Sequence, residues 1–327
     1  METKKLTIVM YHYVRELQYT RFPKINGLLT SQFKEQLEYI GKYYSFVTVE
    51  ECLNAIYSNT NLPKNAVLLT FDDGYLDQYV NVFPILHSKG IQGCFFPPAK
   101  AILNNEVLDV NKIHFIIASV PNVDNLVSDV YKYLDKYRSE YCLESNKYYF
   151  SKLAKDFRFD PKEIIFIKRL LQVELGQEVR KLILDELFHK YVSNDEGAFS
   201  NELYMNINQL RLLVRNGMYV GGHGFNHYWL NTLLPEQQEN EINLTIEFLE
   251  ELGAPTENWV MCYPYGSYNK SLIKILKGKN CKLALTTNVD IASINKENAY
   301  TLQRLDTNDL PIVNSAQPNA WTKKVLN

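Results

Sequence analysis

Short apolar runs alternate with amphipathic stretches over the first hundred residues. Residues 6–10 (Leu-Thr-Ile-Val-Met) read as a buried strand ending at Tyr11-His12-Tyr13. Ser31 reads as a helix N-cap, with Phe33, Leu37 and Ile40 on one face and Gly41 closing the helix. A short strand at 46–49, a helix at 50–57 and an apolar run at 66–69 follow, the run meeting Thr70-Phe71-Asp72-Asp73-Gly74-Tyr75. A helix over 76–88 ends at Gly90, and a strand at 93–96 stops at Pro97-Pro98. Near Asn104 the pattern turns helical, charged and tyrosine-rich. One helix opens at Asp160-Pro161, with Ile164, Ile167, Leu171 and Leu175 on its apolar side, and a second covers 177–191. Alternation resumes with helices at 207–215, 235–252 and 270–277. The strands between and after them fall at 218–220, 259–262, 283–286 and 302–305. The tail from about Pro311 lacks periodicity and reads as loosely held.

Strands separated by helices predict a parallel α/β architecture, either a doubly wound sheet or a (β/α) barrel. The barrel is favoured because His12, Asp72-Asp73, His223 and Tyr265 each follow an apolar strand directly, and in a barrel such ends meet on one face. The expected fold is a distorted (β/α)7 barrel from residues 1–103 and 206–327. Residues 104–205 form a largely helical insertion within the same domain.

Composition narrows the function. Hydrophobic residues make up 46% of the 327 residues and charged residues 22%, which excludes wholesale disorder. With 35 basic and 37 acidic side chains the net charge is −2, so there is no electrostatic footprint for nucleic acid. No run approaches a membrane span, and residues 6–10 are too short for a secretory signal core. The five cysteines are odd in number and lack CxxC spacing. They read as free thiols in a reducing compartment, which predicts a cytoplasmic protein.

Two clusters carry chemistry. Asp72 and Asp73 are adjacent acids at a strand end, and their repulsion calls for a proton or cation, although Asp-Gly is also ordinary turn punctuation. His223-Gly224-Phe225-Asn226-His227 puts two imidazoles four residues apart, a spacing that suits a shared metal or two surface histidines. With one carboxylate they make a two-histidine, one-carboxylate set. That set suits Zn²⁺, Fe²⁺, Co²⁺ or Ni²⁺ without choosing among them.

TFDDGY, HGFNH and the later Tyr263-Pro264-Tyr265-Gly266 resemble, in that order, motifs of the polysaccharide deacetylase family, the NodB-homology enzymes of carbohydrate esterase family four. The resemblance covers most of 6–103 and 206–310. It implies a distorted (β/α)7 barrel and metal-dependent removal of acyl groups, usually acetyl from an N-acetylated sugar. Carried over, it makes Asp72 the catalytic base and Asp73, His223 and His227 the ligands of a divalent metal, zinc first. The Tyr265 N–H becomes a donor to the oxyanion.

Three departures accompany it. Gly224 stands where a hydroxyl residue is common, Cys262 where an arginine often tethers the base, and no histidine follows His227 to serve as C-terminal general acid. Tyr11-His12-Tyr13-Val14 resembles the YHxV of a subgroup that includes poly-N-acetylglucosamine deacetylases. That resemblance makes His12 the proton donor, since an imidazole can give up a proton near neutral pH. Arg304 and Asp306 resemble a late segment that supports the base. Tyr263, Pro264, Asn226 and Trp229 are further supporting or sugar-facing candidates, though core packing is the common fate of a tryptophan.

The expectation is a hydrolase removing an N-acetyl group from an intracellular sugar, either a nucleotide sugar or a lipid-linked precursor of lipopolysaccharide or capsule. Its helical insertion would shape specificity or an oligomer contact. Two alternatives stay open: a same-fold deacylase acting on a non-sugar amide or a formyl group, and a degenerate member that binds carbohydrate without catalysis.

Overall fold

The computed structural model describes residues 4–155 and 160–326; residues 1–3, 156–159 and 327, and with them the outer ends of the expected domain bounds, lie outside the described residues. The strands are β1 (Lys4–Tyr11), β2 (Ser45–Phe46), β3 (Ala66–Asp72), β4 (Gly93–Phe96), β5 (Tyr219–Val220), β6 (Val260–Cys262), β7 (Leu283–Leu285), β8 (Ala292–Ile294) and β9 (Leu305–Asp306). The chain packs as two units. One comprises Met1–Glu16, Gly27–Asn105 and Asn201–Asn327, the other Leu17–Asn26 and Glu106–Ser200.

The first unit is the distorted (β/α)7 barrel that the alternation predicts. β3 is buried along its whole length, as a strand covered on both faces must be, and it pairs in parallel with β1 and β4. β4 pairs in parallel with β5, and β1 with β9. Two single bridges close the ring: Gly222 to Met261 beside β6, and Leu285 of β7 to Leu302 ahead of β9. All these strands run the same way. The end of β3 at Asp72, the residues after β5 and the end of β6 at Cys262 therefore open on one face.

Several details depart from the sequence pattern. The first helix runs Thr30–Tyr43 with Leu29 at its N-cap and passes through Gly41. Pro161 is an N-cap, and Lys162–Arg169 follows it. β8, which the pattern does not announce, pairs antiparallel with β1 and lies outside the parallel ring. The tail is docked, not loose. Its helix Ala320–Leu326 buries Thr322, whose hydroxyl meets those of Tyr39 and Tyr44 at 2.8 and 3.0 Å.

The second unit is helical, with Asp109–Ser119, Val123–Tyr137 and Gln177–Tyr191 among its longer helices. Its core gathers Ile113, Phe115, Leu126, Val130, Phe166, Leu187 and Phe188. Phe22 brings the 17–26 segment into that core, edge-on to Phe115 and Phe199 at 5.0 and 5.8 Å. The buried Lys112 ammonium bridges Asp185 and Glu196 at 2.6 and 2.8 Å, which satisfies the one cation inside the bundle's core among the described residues.

Candidate metal centre and active site

β3 delivers Asp72 inside the strand and Asp73 one residue beyond it. Alternation would normally send the two side chains to opposite faces. Asp73 instead adopts a left-handed conformation, φ +70°, and the chain turns sharply through Gly74, φ +66°. A Cβ on Gly74 would lie 2.7 Å from the Pro97 ring, so this turn requires glycine.

Asp73 Oδ1 lies 3.3 Å from Nε2 of both His223 and His227, and all three side chains are buried. Its other oxygen, Oδ2, accepts a 2.5 Å hydrogen bond from the Tyr75 hydroxyl. Tyr75 is itself buried in a stack with Tyr13, 4.1 Å between centroids. His223 Nδ1 is 2.8 Å from the Cys262 carbonyl oxygen. A carbonyl can only accept, so Nδ1 carries the proton and Nε2 presents a lone pair when the ring is neutral. That lone pair faces a carboxylate oxygen. The contact is repulsive unless a proton or a cation lies between.

The electrostatics agree. Burial opposes charge on His223, but its hydrogen bonding with Asp73 and Cys262 and the nearby Asp72 carboxylate prevail and hold it well above the usual histidine range. Burial holds His227 below that range despite Asp73, and its Nδ1 is a buried nitrogen without a protein partner among the described residues. Burial also opposes a charged Asp73, yet hydrogen bonds from His223 and His227 keep it ionised well below the ordinary carboxylate range.

These donors fit a divalent cation. Tetrahedral bonds of about 2.0–2.2 Å set ligand atoms about 3.3–3.6 Å apart, which matches the 3.3 Å separations here. Asp72, His223 and Cys262 form a second cluster within 4.8 Å. It fits a cation poorly. The Asp72 oxygens are occupied by a guanidinium, and burial pushes the Cys262 thiol up, away from the thiolate that would bind metal.

That guanidinium is Arg304, between the Leu285–Leu302 bridge and β9. Nη1 donates to Asp72 Oδ1 at 2.8 Å and Nη2 to Oδ2 at 2.7 Å, with both residues buried. Arg304 Nε donates to the Thr286 carbonyl at 2.8 Å and Nη1 also to Thr70 Oγ1 at 3.1 Å. The Cys262 thiol donates to Asp72 Oδ2 at 3.4 Å. Burial alone would raise the Asp72 carboxyl, but the Arg304 charge and hydrogen bonds outweigh it and hold Asp72 below its usual range. Two adjacent aspartates thus have separate partners.

His12 Nε2 is 4.0 Å from Asp72 Oδ2, beyond hydrogen-bond reach, and the His12 side chain is 41% exposed while that of Asp72 is 3% exposed. His12 is therefore the part of the cluster that solvent reaches. Tyr265 lies in a tight turn with φ +58°, followed by Gly266 at φ +67°. Its ring stacks on Trp229, 4.5 Å apart and 5° from parallel, and meets His227 edge-on at 4.8 Å. Pro264 is buried in the same turn.

Other sequence candidates lie elsewhere. Tyr263 is buried in the barrel wall, donating to the Tyr300 carbonyl and stacking on Tyr268 at 5.1 Å. Asp306 caps the next turn by accepting from the Asn308 N–H at 2.9 Å, and it does not bond the base. Asn226 turns its amide to Glu241, a residue that motif reading passes over. A signal for Glu241 existed: Gln238, Glu241 and Thr245 interrupt the buried stripe of the Pro235–Leu252 helix, and such polar insertions mark side chains with fixed partners.

A family model described as polysaccharide deacetylase matches residues 59–119 and 197–284. Those two segments carry Asp72, Asp73, His223, His227 and Tyr265. A Bacillus subtilis (strain 168) protein, YxkH, named for the polysaccharide deacetylases, is 29% identical over 99 residues, covering 30% of this chain. The match spans 33% of that relative's own length. Among solved structures, a Streptococcus pyogenes deacetylase, PplD, in complex with acetate superposes with a TM-score of 0.58 at 19% identity, over 99% of this chain and 97% of that one. IcaB from Ammonifex degensii gives 0.55 at 18% identity, over 99% and 96%. A de-N-acetylase from Aggregatibacter actinomycetemcomitans gives 0.54 at 13%, over 98% and 100%. At these identities the structures establish a shared fold.

Proposed function

From a polysaccharide deacetylase family match on the two segments that carry Asp72, Asp73, His223 and His227, we propose that this chain is a metal-dependent hydrolase. Its reaction is removal of the N-acetyl group from an N-acetylated sugar. The observation that carries the reading is the division of the Asp72-Asp73 pair, one acid held by Arg304 and the other turned to two histidines.

In this reading Asp73, His223 and His227 hold a divalent cation, zinc being the first choice for an N,N,O donor set. When bound, the cation supplies positive charge that polarises the acetyl carbonyl and acidifies water. Asp72 takes the proton of the attacking water. Arg304 keeps it ionised and fixes its plane, leaving lone pairs unclaimed on a carboxylate that accepts from one guanidinium and one thiol. The N–H of Tyr265, held by the left-handed turn, donates to the carbonyl oxygen as charge builds there. His12, on the open side of Asp72, gives a proton to the departing nitrogen. Water, amide and two proton transfers balance as acetate and a free amine.

Four of the five unpaired cysteines are buried, which fits a reducing compartment. On that support the sugar is taken as an intracellular one, a nucleotide sugar or a lipid-linked precursor of a surface polysaccharide. No helix among the described residues is long and apolar enough to cross a membrane.

The test is a panel of N-acetyl sugars, N-formyl sugars and non-sugar amides, assayed for acetate, formate and ammonia with zinc-loaded protein. Acetate release from an N-acetyl sugar is expected. Formate or ammonia release alone would move the activity to the same-fold deacylases, and no release from zinc-loaded protein would contradict the reading.

A further inference from the structure

We propose that Glu241 is a positioning residue for the cation site, acting through the loop that carries His227; this rests on the metal-site reading above. Glu241 stands in the middle of the Pro235–Leu252 helix, 3% exposed. Among the described residues no cationic side chain pairs with it. Its carboxylate is given wholly to one turn: Oε2 accepts from the N–H groups of Phe225 and Asn226 at 3.1 and 3.0 Å, and Oε1 accepts from the Asn226 side-chain amide.

That turn needs a clamp. It begins at Gly224, φ +71°, and ends at His227, φ +58°. A left-handed histidine is strained by about 1–3 kcal/mol, so the loop alone would relax away from it. Gly224 brings no side chain to hold the turn, and a Cβ there would come within 3.7 Å of Glu241 Oε2. Two successive N–H groups converging on one oxygen form the kind of concave amide pair that binds anions. From the opposite side, the N–H groups of Ala99 and Lys100 donate to the carbonyls of Gly224 and Phe225 at 3.3 and 3.0 Å. Carbonyls and amides of one loop are therefore fixed by two elements.

The consequence falls on His227. Its Nε2 shares Asp73 Oδ1 with His223 at 3.3 Å, and its own Nδ1 has no protein partner among the described residues to orient it. The orientation comes from the backbone. Outer contacts of this kind are worth about 10–100-fold in metal affinity.

The experiment is a zinc titration of metal-stripped full-length protein against a chromophoric chelator, with thermal unfolding recorded in parallel. Glu241→Ala is expected to weaken zinc binding about 10–100-fold. Glu241→Gln is expected to weaken it measurably but less, since its amide oxygen still accepts from Phe225 and Asn226. Thr245→Val, which breaks the buried 2.7 Å bond from the Thr245 hydroxyl to the Glu241 carbonyl, is expected to lower the melting temperature and keep wild-type zinc affinity. Wild-type affinity in folded Glu241→Ala would overturn the proposal. So would wild-type affinity in Glu241→Gln should the alanine variant not fold, or a Thr245→Val loss equal to that of Glu241→Ala. A wild type that binds no zinc fails the metal-site reading itself, a separate outcome.

Discussion

Arg304 grips both oxygens of Asp72, at 2.8 and 2.7 Å, with both side chains buried in the barrel. The guanidinium also bonds Thr70 and Thr286, so three of its nitrogens are engaged. A lysine ammonium cannot reproduce this planar fork.

Arg304→Met should therefore leave a buried carboxylate without its partner, at a cost of about 3–5 kcal/mol in stability. Asp72 would lose the charge that holds it down, and burial would raise it. The acid limb of kcat/KM should then move toward neutral pH. In the wild type the sign is the reverse. The folded-state pKa lies below the unfolded one, so the pair stabilises the fold above the unfolded value of about 3.9. That contribution is lost as pH falls through the folded value. Denaturation midpoints followed from pH 7 down to about pH 2, with a pH–rate profile, check both effects.

Tyr75→Phe removes the one hydrogen bond to the Asp73 carboxylate, besides the histidine contacts, among the described residues. The ring would keep its place on Tyr13, so the loss is one bond to a charged group, about 1.5–3 kcal/mol. Zinc affinity should fall about 10-fold or more, as read by chelator competition. An unchanged affinity would show that the histidines alone fix the carboxylate.

His12→Ala should lower kcat on an N-acetyl sugar about 10²–10⁴-fold and leave zinc content unchanged. Hydrolysis of an activated aryl acetate should fall far less, because its leaving group needs no proton. An equal loss on both substrates would remove His12 from proton donation.

The barrel was legible where burial is two-sided. β3 is apolar from Ala66 to Leu69 because it is buried on both faces, as a strand between a barrel interior and an outer layer of helices must be, and such a run has few other readings. The acids and histidines at strand ends were legible because each follows such a run. What could not be read is what those residues touch. Arg304 and Asp306 are neighbours in sequence, yet one holds the base and the other caps a turn, a difference set by tertiary packing. Glu241 carries only the signal of a polar residue on the buried side of its helix, and that signal does not name the loop it holds. The helix Ala320–Leu326 was missed because seven residues carry too little periodicity, and its anchor is a hydroxyl, Thr322, not an apolar stripe. The 17–26 segment was assigned with its sequence neighbours, whereas its phenylalanine packs with residues about a hundred positions away.

The central claim is that Asp72 and Asp73, adjacent in sequence, do different work, and paired substitutions test it most directly. Zinc content and acetate release from an N-acetyl sugar would be measured together on wild type, Asp72→Asn and Asp73→Ala. The account predicts that Asp72→Asn keeps its zinc and loses acetate release about 10²–10⁴-fold, while Asp73→Ala loses both. Loss of zinc in both variants alike, or near-wild-type acetate release from either, would contradict it.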